Sequence, residues 1–215
     1  MPENLFPSFD TVISLGYNCF PKLYINRYVK SSETQVFDYL GTPIWALNSL
    51  IQNNWAGLTD STKFTPHSFF DHKKNQILAH DTYHICFPHD VKKKDDFDSP
   101  VFKDKIQRRI QRFEESVRNS QRLLFIRLTI DKYVKHDEAE DTPEQALEKF
   151  VSLVKTTYNC PSVTVIYINS EQDGWNNDHT ILSVKVDAPD DINIMLADKV
   201  IHDLFKEKGV YAALA

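Results

Sequence analysis

Cys19 closes the stretch SLGYNC at positions 14–19, which follows a short apolar run and opens a segment of helical spacing. A thiol at the start of a helix lies near unpaired N–H groups and the positive end of the dipole, and both favour the thiolate, the nucleophilic form. A buried, inert cysteine has the same local sequence, because free cysteine most often packs as a small hydrophobe. Arg127 follows an apolar strand-like run, where an arginine is costly unless it is paired or faces a ligand from the strand's carboxyl end. Recognition of an anion or carboxylate and an ordinary structural ion pair are both open there. His72, His80, His84 and His89 fall close together with Asp81 and Cys86, a set with the ligand types of zinc. On a strand, however, His80 and His84 share a parity that His89 does not, so solvated surface histidines are the expectation and no metal is assigned. Cys86 sits inside an alternating run, where packing accounts for it.

The elements that must hold these residues can be read from periodicity and turn chemistry. A strand over 11–15 ends at Gly16, whose missing side chain suits a sharp turn into a helix. Asn18 can cap that helix, and Pro21 is tolerated in its first turn. Thr42 and Pro43 supply a cap and first-turn pair for a second helix that presents Leu47, Leu50 and Ile51 on one face. Alternation between 64 and 90, with Lys73, Lys74 and Asn75 at the turn, predicts a β-hairpin of 68–72 against 76–87. The charged run VKKKDDFDSP reads as a surface loop.

Ser99 and Pro100 open a long helix with Phe102, Ile106, Ile110, Phe113 and Val117 as a narrow apolar stripe. Its remaining faces are basic, through Lys103, Lys105, Arg108, Arg109, Arg112 and Arg118. The second half alternates: strands at 123–128, 163–168 and 181–186, a helix opened by the capping box at Thr142 and Gln145, and a final helix over 191–208. Trp175 falls in an intervening turn, and the acidic stretch 131–141 has no assigned role. Such alternation predicts an α/β fold, a mainly parallel sheet covered by helices on both faces, with the hairpin around 64–90 as an insertion. The chain is expected to form one domain over 1–215, with 64–98 as its elaboration.

Composition narrows the function classes. A chain of 215 residues, 41% hydrophobic and 12% aromatic, can bury a sizeable core. A formal charge of -5 argues against bulk attraction to nucleic acid or anionic membranes. No apolar run approaches the roughly 20 residues that span a bilayer, and the first ten residues lack a basic start and an apolar core, so a cytoplasmic protein is expected. Cys19, Cys86 and Cys160 are far apart and show no CxxC spacing, which predicts three free thiols.

Several segments together resemble a family described as papain-like cysteine peptidases: VISLGYNC with its helix, FDYLG, CFPHD, and IQRRIQRFEESVRNSQRLLFIR, in order over residues 10 to 130. The resemblance implies a nucleophilic cysteine with a histidine partner, carried here by Cys19 and His89. An imidazole within reach takes the thiol proton, and a third polar group holds the ring. Asp90 and Asp38 are equal candidates for that third role, Asp90 on condition that the chain turns at Pro88. Asn18 or the Cys19 N–H could stabilise an oxyanion.

One departure from the family's implied fold is legible. A papain-like fold packs its cysteine helix on an antiparallel sheet, whereas the pattern here predicts a doubly wound one, with a crevice at the carboxyl ends of its strands. The resulting expectation is a Cys–His enzyme acting by hydrolysis or transfer at an acyl-type centre on a small-molecule or peptide substrate, without a cofactor. A second reading is a Rossmann-like transferase or binding protein for a nucleotide-sugar or other phosphorylated ligand, held near Gly16, Asn18 and Arg127, with polysaccharide assembly as a candidate process. A third is an interaction module using the basic helix.

Overall fold

The computed structural model describes residues 9–17, 19–28, 33–70, 76–128, 141–168 and 173–185, together with 199, 202 and 203. The chain runs β1 (Thr11–Ser14), α1 (Phe20–Tyr28), α2 (Ile44–Gln52), β2 (Phe64–Phe70), β3 (Gln76–His80), α3 (Pro100–Asn119), β4 (Arg122–Leu128), α4 (Pro143–Tyr158), β5 (Ser162–Ile168), β6 (Gly174–Trp175) and β7 (Ile181–Val184). A five-stranded sheet has the order β1-β4-β5-β7-β6, parallel except for β6 against β7. β2 and β3 form a separate antiparallel pair. Among the described residues, no helix is long and apolar enough to cross a membrane.

Strand parity explains why helices cover both faces. Ile13, Leu123, Phe125, Val163, Val165 and Tyr167 point to one side and pack with apolar residues of α2, α3 and α4. Val12, Leu124, Ile126, Leu128, Ile166 and Ile168 point to the other and meet Tyr24 and Ile25 of α1. Both sides of the central strands are therefore apolar, as a parallel sheet requires. The parallel strands β1, β4, β5 and β7 follow chain order across the sheet, with β6 added antiparallel outside β7, so the order reversal of a doubly wound sheet is missing among the described parallel strands. A crossing takes its place: α1 lies on one face and α2 on the other, and between them Phe37, Leu40 and Thr42 lie against the turn after β1.

Several local expectations change. The charged run after the hairpin contains a 3-10 helix, Lys94–Asp98, because Phe97 is fully buried and stacks on Phe64 at 3.8 Å between ring centroids. One buried phenylalanine stabilises by roughly 1.5–3 kcal/mol, enough to order a polar loop around it. β3 stops at His80, short of 87, and Cys86 folds back to bridge Ala79 and Gly41. Pro43, not Thr42, takes the cap position of α2, and Thr42 is buried. Trp175 belongs to a short strand pairing with Leu182 of β7. The capping box of α4 forms as expected, with the Thr142 N–H donating to Gln145 Oε1 at 2.9 Å and the Gln145 N–H to Thr142 Oγ1 at 3.3 Å. The turn at 73–75 and the stretch 131–140 lie outside the described residues. So does most of the helix expected over 191–208, of which Lys199, His202 and Asp203 are helical.

Candidate active site

The floor of the site is built on the carboxyl ends of β1 and β4. Arg127, 1% exposed, donates from its guanidinium to the Leu15 carbonyl at 2.7 Å and the Thr42 carbonyl at 2.6 Å. The Tyr17 ring covers the same guanidinium, 5.4 Å from its centroid. Arg127 thus holds backbone carbonyls of two loops, those after β1 and before α2. Gly16 is needed where these loops touch: its φ is +71° and an added Cβ would lie 2.6 Å from the Phe37 carbonyl oxygen. The Gly16 N–H donates to Ser14 Oγ at 3.1 Å. Gly41 pairs with Cys86 through two backbone hydrogen bonds, and a Cβ on it would meet Cys86 Sγ at 2.4 Å.

Cys19 sits half-exposed just before α1, and its carbonyl accepts from the Leu23 N–H at 3.1 Å. Burial pushes its thiol up, and only its own backbone pulls the other way. Desolvation thus opposes the thiolate that a helix start favours. One turn on, Lys22 is buried and reaches the Asp38 carboxylate at 3.3 Å and the Glu33 carbonyl. Asp38, fully buried, also accepts from the Gln35 N–H at 2.8 Å. Burial raises the Asp38 carboxyl above its usual range despite Lys22, the Gln35 N–H and Ser14. This carboxylate ties α1 to the 35–38 turn.

The chain does turn at Pro88, where the Asp90 and Val91 N–H groups both donate to the Phe87 carbonyl. The condition for Asp90 to hold His89 is met, yet its carboxylate points elsewhere, to Arg109 at 2.8 Å and Lys105 at 3.0 Å on α3. Burial alone would raise Asp90, but the two cations outweigh it and hold the carboxyl below its ordinary value. His89 is exposed and meets the Tyr39 ring edge-on, at 5.8 Å and 72°. Burial pushes the Tyr39 phenol up first, then the charges of Asp38 and Cys19, against Asn26 of α1 and Arg109. No hydrogen bond joins Cys19 and His89 among the described residues. Asn18 lies outside those residues.

The remaining candidates have structural occupations. The His80 ring is buried, accepts at Nδ1 from the Thr82 and Tyr83 N–H groups at 3.1 and 3.2 Å, and faces the Gly57 carbonyl with Nε2 at 3.3 Å. His84 packs edge-on to Trp45. Among the described residues no cluster of His, Cys, Asp and Glu could hold a metal, and His72 is not among them. Burial pushes the Cys86 thiol up to about 11, and Cys160 donates to the carbonyls of Ser120 and Ser162. All three cysteines are free thiols.

The basic face of α3 is largely spent inside the molecule. Lys105 and Arg109 hold Asp90, Lys103 meets Asp98, Arg112 donates to the Thr34 carbonyl, and Arg118 pairs with Glu114 and lies over Tyr158. Arg108 is exposed. A cleft of about 1030 Å³ between α2 and α4, walled by Trp45, Asn48, Gln52, Gln145 and Glu148, includes neither Cys19 nor His89. Tyr17, Lys22 and Tyr39 are the site residues that sequence reasoning missed. The one available signal was position, since all three lie within the SLGYNC and FDYLG segments or one turn beyond.

No curated protein and no solved structure matches the chain. A family model does match, over residues 10–173, which includes Cys19, Tyr39, His89 and Arg127. The chain belongs to the family described as "putative papain-like cysteine peptidase".

Proposed function

We propose that the protein is a cysteine-nucleophile enzyme acting by hydrolysis or transfer at an acyl-type centre, with Cys19 as nucleophile and His89 as general base. The observation that carries this reading is the half-exposed thiol of Cys19 at the start of α1, together with an exposed His89 whose ring nitrogens make no hydrogen bond among the described residues. Family membership adds to it. The mostly parallel sheet is not the architecture that the word papain-like implies, so the reading rests on the thiol and the imidazole and not on the peptidase label. The anion-binding alternative loses support, because the guanidinium of Arg127 and the N–H of Gly16 are engaged within the floor.

In the proposed reaction the Cys19 thiol proton passes to a ring nitrogen of His89 as sulfur attacks the acyl carbon. The new C–S bond replaces the bond to the leaving group, which departs with that proton. Water, or an acceptor hydroxyl or amine, then attacks the thioester, gives its proton to His89 and frees the sulfur, which recovers a proton from the imidazolium. This order needs no resting thiolate, since proton transfer comes with substrate and not before it.

Iodoacetamide labelling read by mass spectrometry, followed by exposure to an activated acyl ester, tests the reading. Cys19 should be alkylated well ahead of Cys86 and Cys160, and an acyl adduct should form on Cys19 and vanish in Cys19→Ala with an unchanged melting temperature. Equal labelling of the three thiols, or acylation that survives Cys19→Ala, would overturn it.

A further inference from the structure

Among the described residues, no carboxylate holds the base of the proposed reaction. Asp38 is occupied by Lys22 and the Gln35 N–H, and Asp90 by Arg109 and Lys105. Among the described residues, the edge-on contact with Tyr39 is the interaction that the His89 imidazole makes. Tyr39 carries a φ of +63°, a left-handed conformation that a bulky aromatic side chain adopts only against steric resistance. Its neighbours Phe37 and Leu40 are fully buried core residues, whereas the Tyr39 ring is half-exposed and belongs to neither core cluster. Core packing therefore does not require this ring, and strained backbone of this kind collects at functional sites.

We propose that Tyr39 is the positioning residue of His89: its ring sets the orientation of the imidazole on the side of the molecule where Cys19 opens α1. The inference rests on the assignment of Cys19 and His89 as nucleophile and base. The imidazole presents its edge to the tyrosine π-face or receives the tyrosine edge, an arrangement that fixes a ring plane without using either nitrogen. Both nitrogens stay available for proton transfer, which a carboxylate partner would not permit. The charged groups around the pair are Asp38, Cys19 and Arg109 about Tyr39, and Asp90 with Lys105 and Arg109 about the turn that carries His89.

The test is a double-mutant cycle on the rate at which iodoacetamide alkylates Cys19 at neutral pH. His89→Ala should slow alkylation by about tenfold, through loss of the base that takes the thiol proton as sulfur attacks. Tyr39→Leu should slow it by a similar factor in the parent protein and by nothing further in the His89→Ala background, and Tyr39→Phe, which keeps the ring, should restore the parent rate. A Tyr39→Leu rate equal to the parent's, or an equal loss in both backgrounds, would overturn the role of Tyr39. No effect of His89→Ala would instead overturn the Cys–His assignment itself. If Tyr39→Leu does not fold, the imidazole proton resonances of His89, assigned by their loss in His89→Ala, decide. A ring-current shift in both the parent and Tyr39→Phe supports the contact, and unshifted resonances dispose of it.

Discussion

Two pairs of cysteine and histidine among the described residues, Cys86 with His80 and Cys19 with His89, differ in how far the fold has already engaged their polar atoms. In the hairpin region, Cys86 lies beneath Gly41 with its thiol pushed up to about 11, and His80 has both ring nitrogens engaged by backbone groups. At the edge of the sheet, Cys19 is half-exposed at a helix start and His89 is exposed, with neither ring nitrogen in a hydrogen bond among the described residues. The residue types are identical. What separates the two is whether the backbone has already used the polar atoms, for a saturated group has nothing left to exchange with a substrate.

The sharpest way to break this contrast is to remove the floor that holds the second neighbourhood in place. Arg127→Met leaves the Leu15 and Thr42 carbonyls buried without their donor, and we expect a loss of roughly 3–5 kcal/mol in urea unfolding. A loss below about 1 kcal/mol would mean that the guanidinium is not the clamp.

A smaller effect probes the hairpin neighbourhood. Gly41→Ala drives a Cβ to 2.4 Å from Cys86 Sγ, so about 1–3 kcal/mol should be lost. Cys86→Ala should recover most of it, because the Cys86 Cβ stands 4.0 Å from the same point. Failure of the rescue would place the strain in the backbone instead of against the sulfur.

The smallest effect distinguishes the histidines by pH. Burial lowers the His80 pKa from 6.5, so on acidification the unfolded chain takes up the proton first. The stability that neutral His80 contributes is intact above pH 6.5 and is lost as pH falls from there through the folded value. Urea unfolding of the parent at a series of pH values should show this acid limb, shallower than either loss above. His89→Ala should keep it, and its disappearance in that variant would assign the titration to the wrong neighbourhood.

Much of the architecture was legible from side-chain pattern alone. Apolar runs at β4 and β5 announced strands buried on both faces, Thr142, Pro143 and Gln145 announced a helix start, and the stripe from Phe102 to Val117 announced α3. These readings succeed because period and capping are local properties. The 91–98 segment misled for the complementary reason: its charges dominate composition, while a single phenylalanine, Phe97, decides its structure by stacking on Phe64 from a distant part of the chain.

Local sequence settled for this protein which residues possess nucleophilic, basic or anionic groups, and that Cys19 would stand where a strand gives way to a helix. Tertiary structure alone decided where those groups are engaged: it set Arg127 on two carbonyls, Asp38 on Lys22 and Asp90 on α3, and it placed Tyr39 against His89. Residue type is fixed along the chain, but hydrogen-bond partners and desolvation depend on neighbours that are distant in sequence, and those are assigned only when the chain closes on itself.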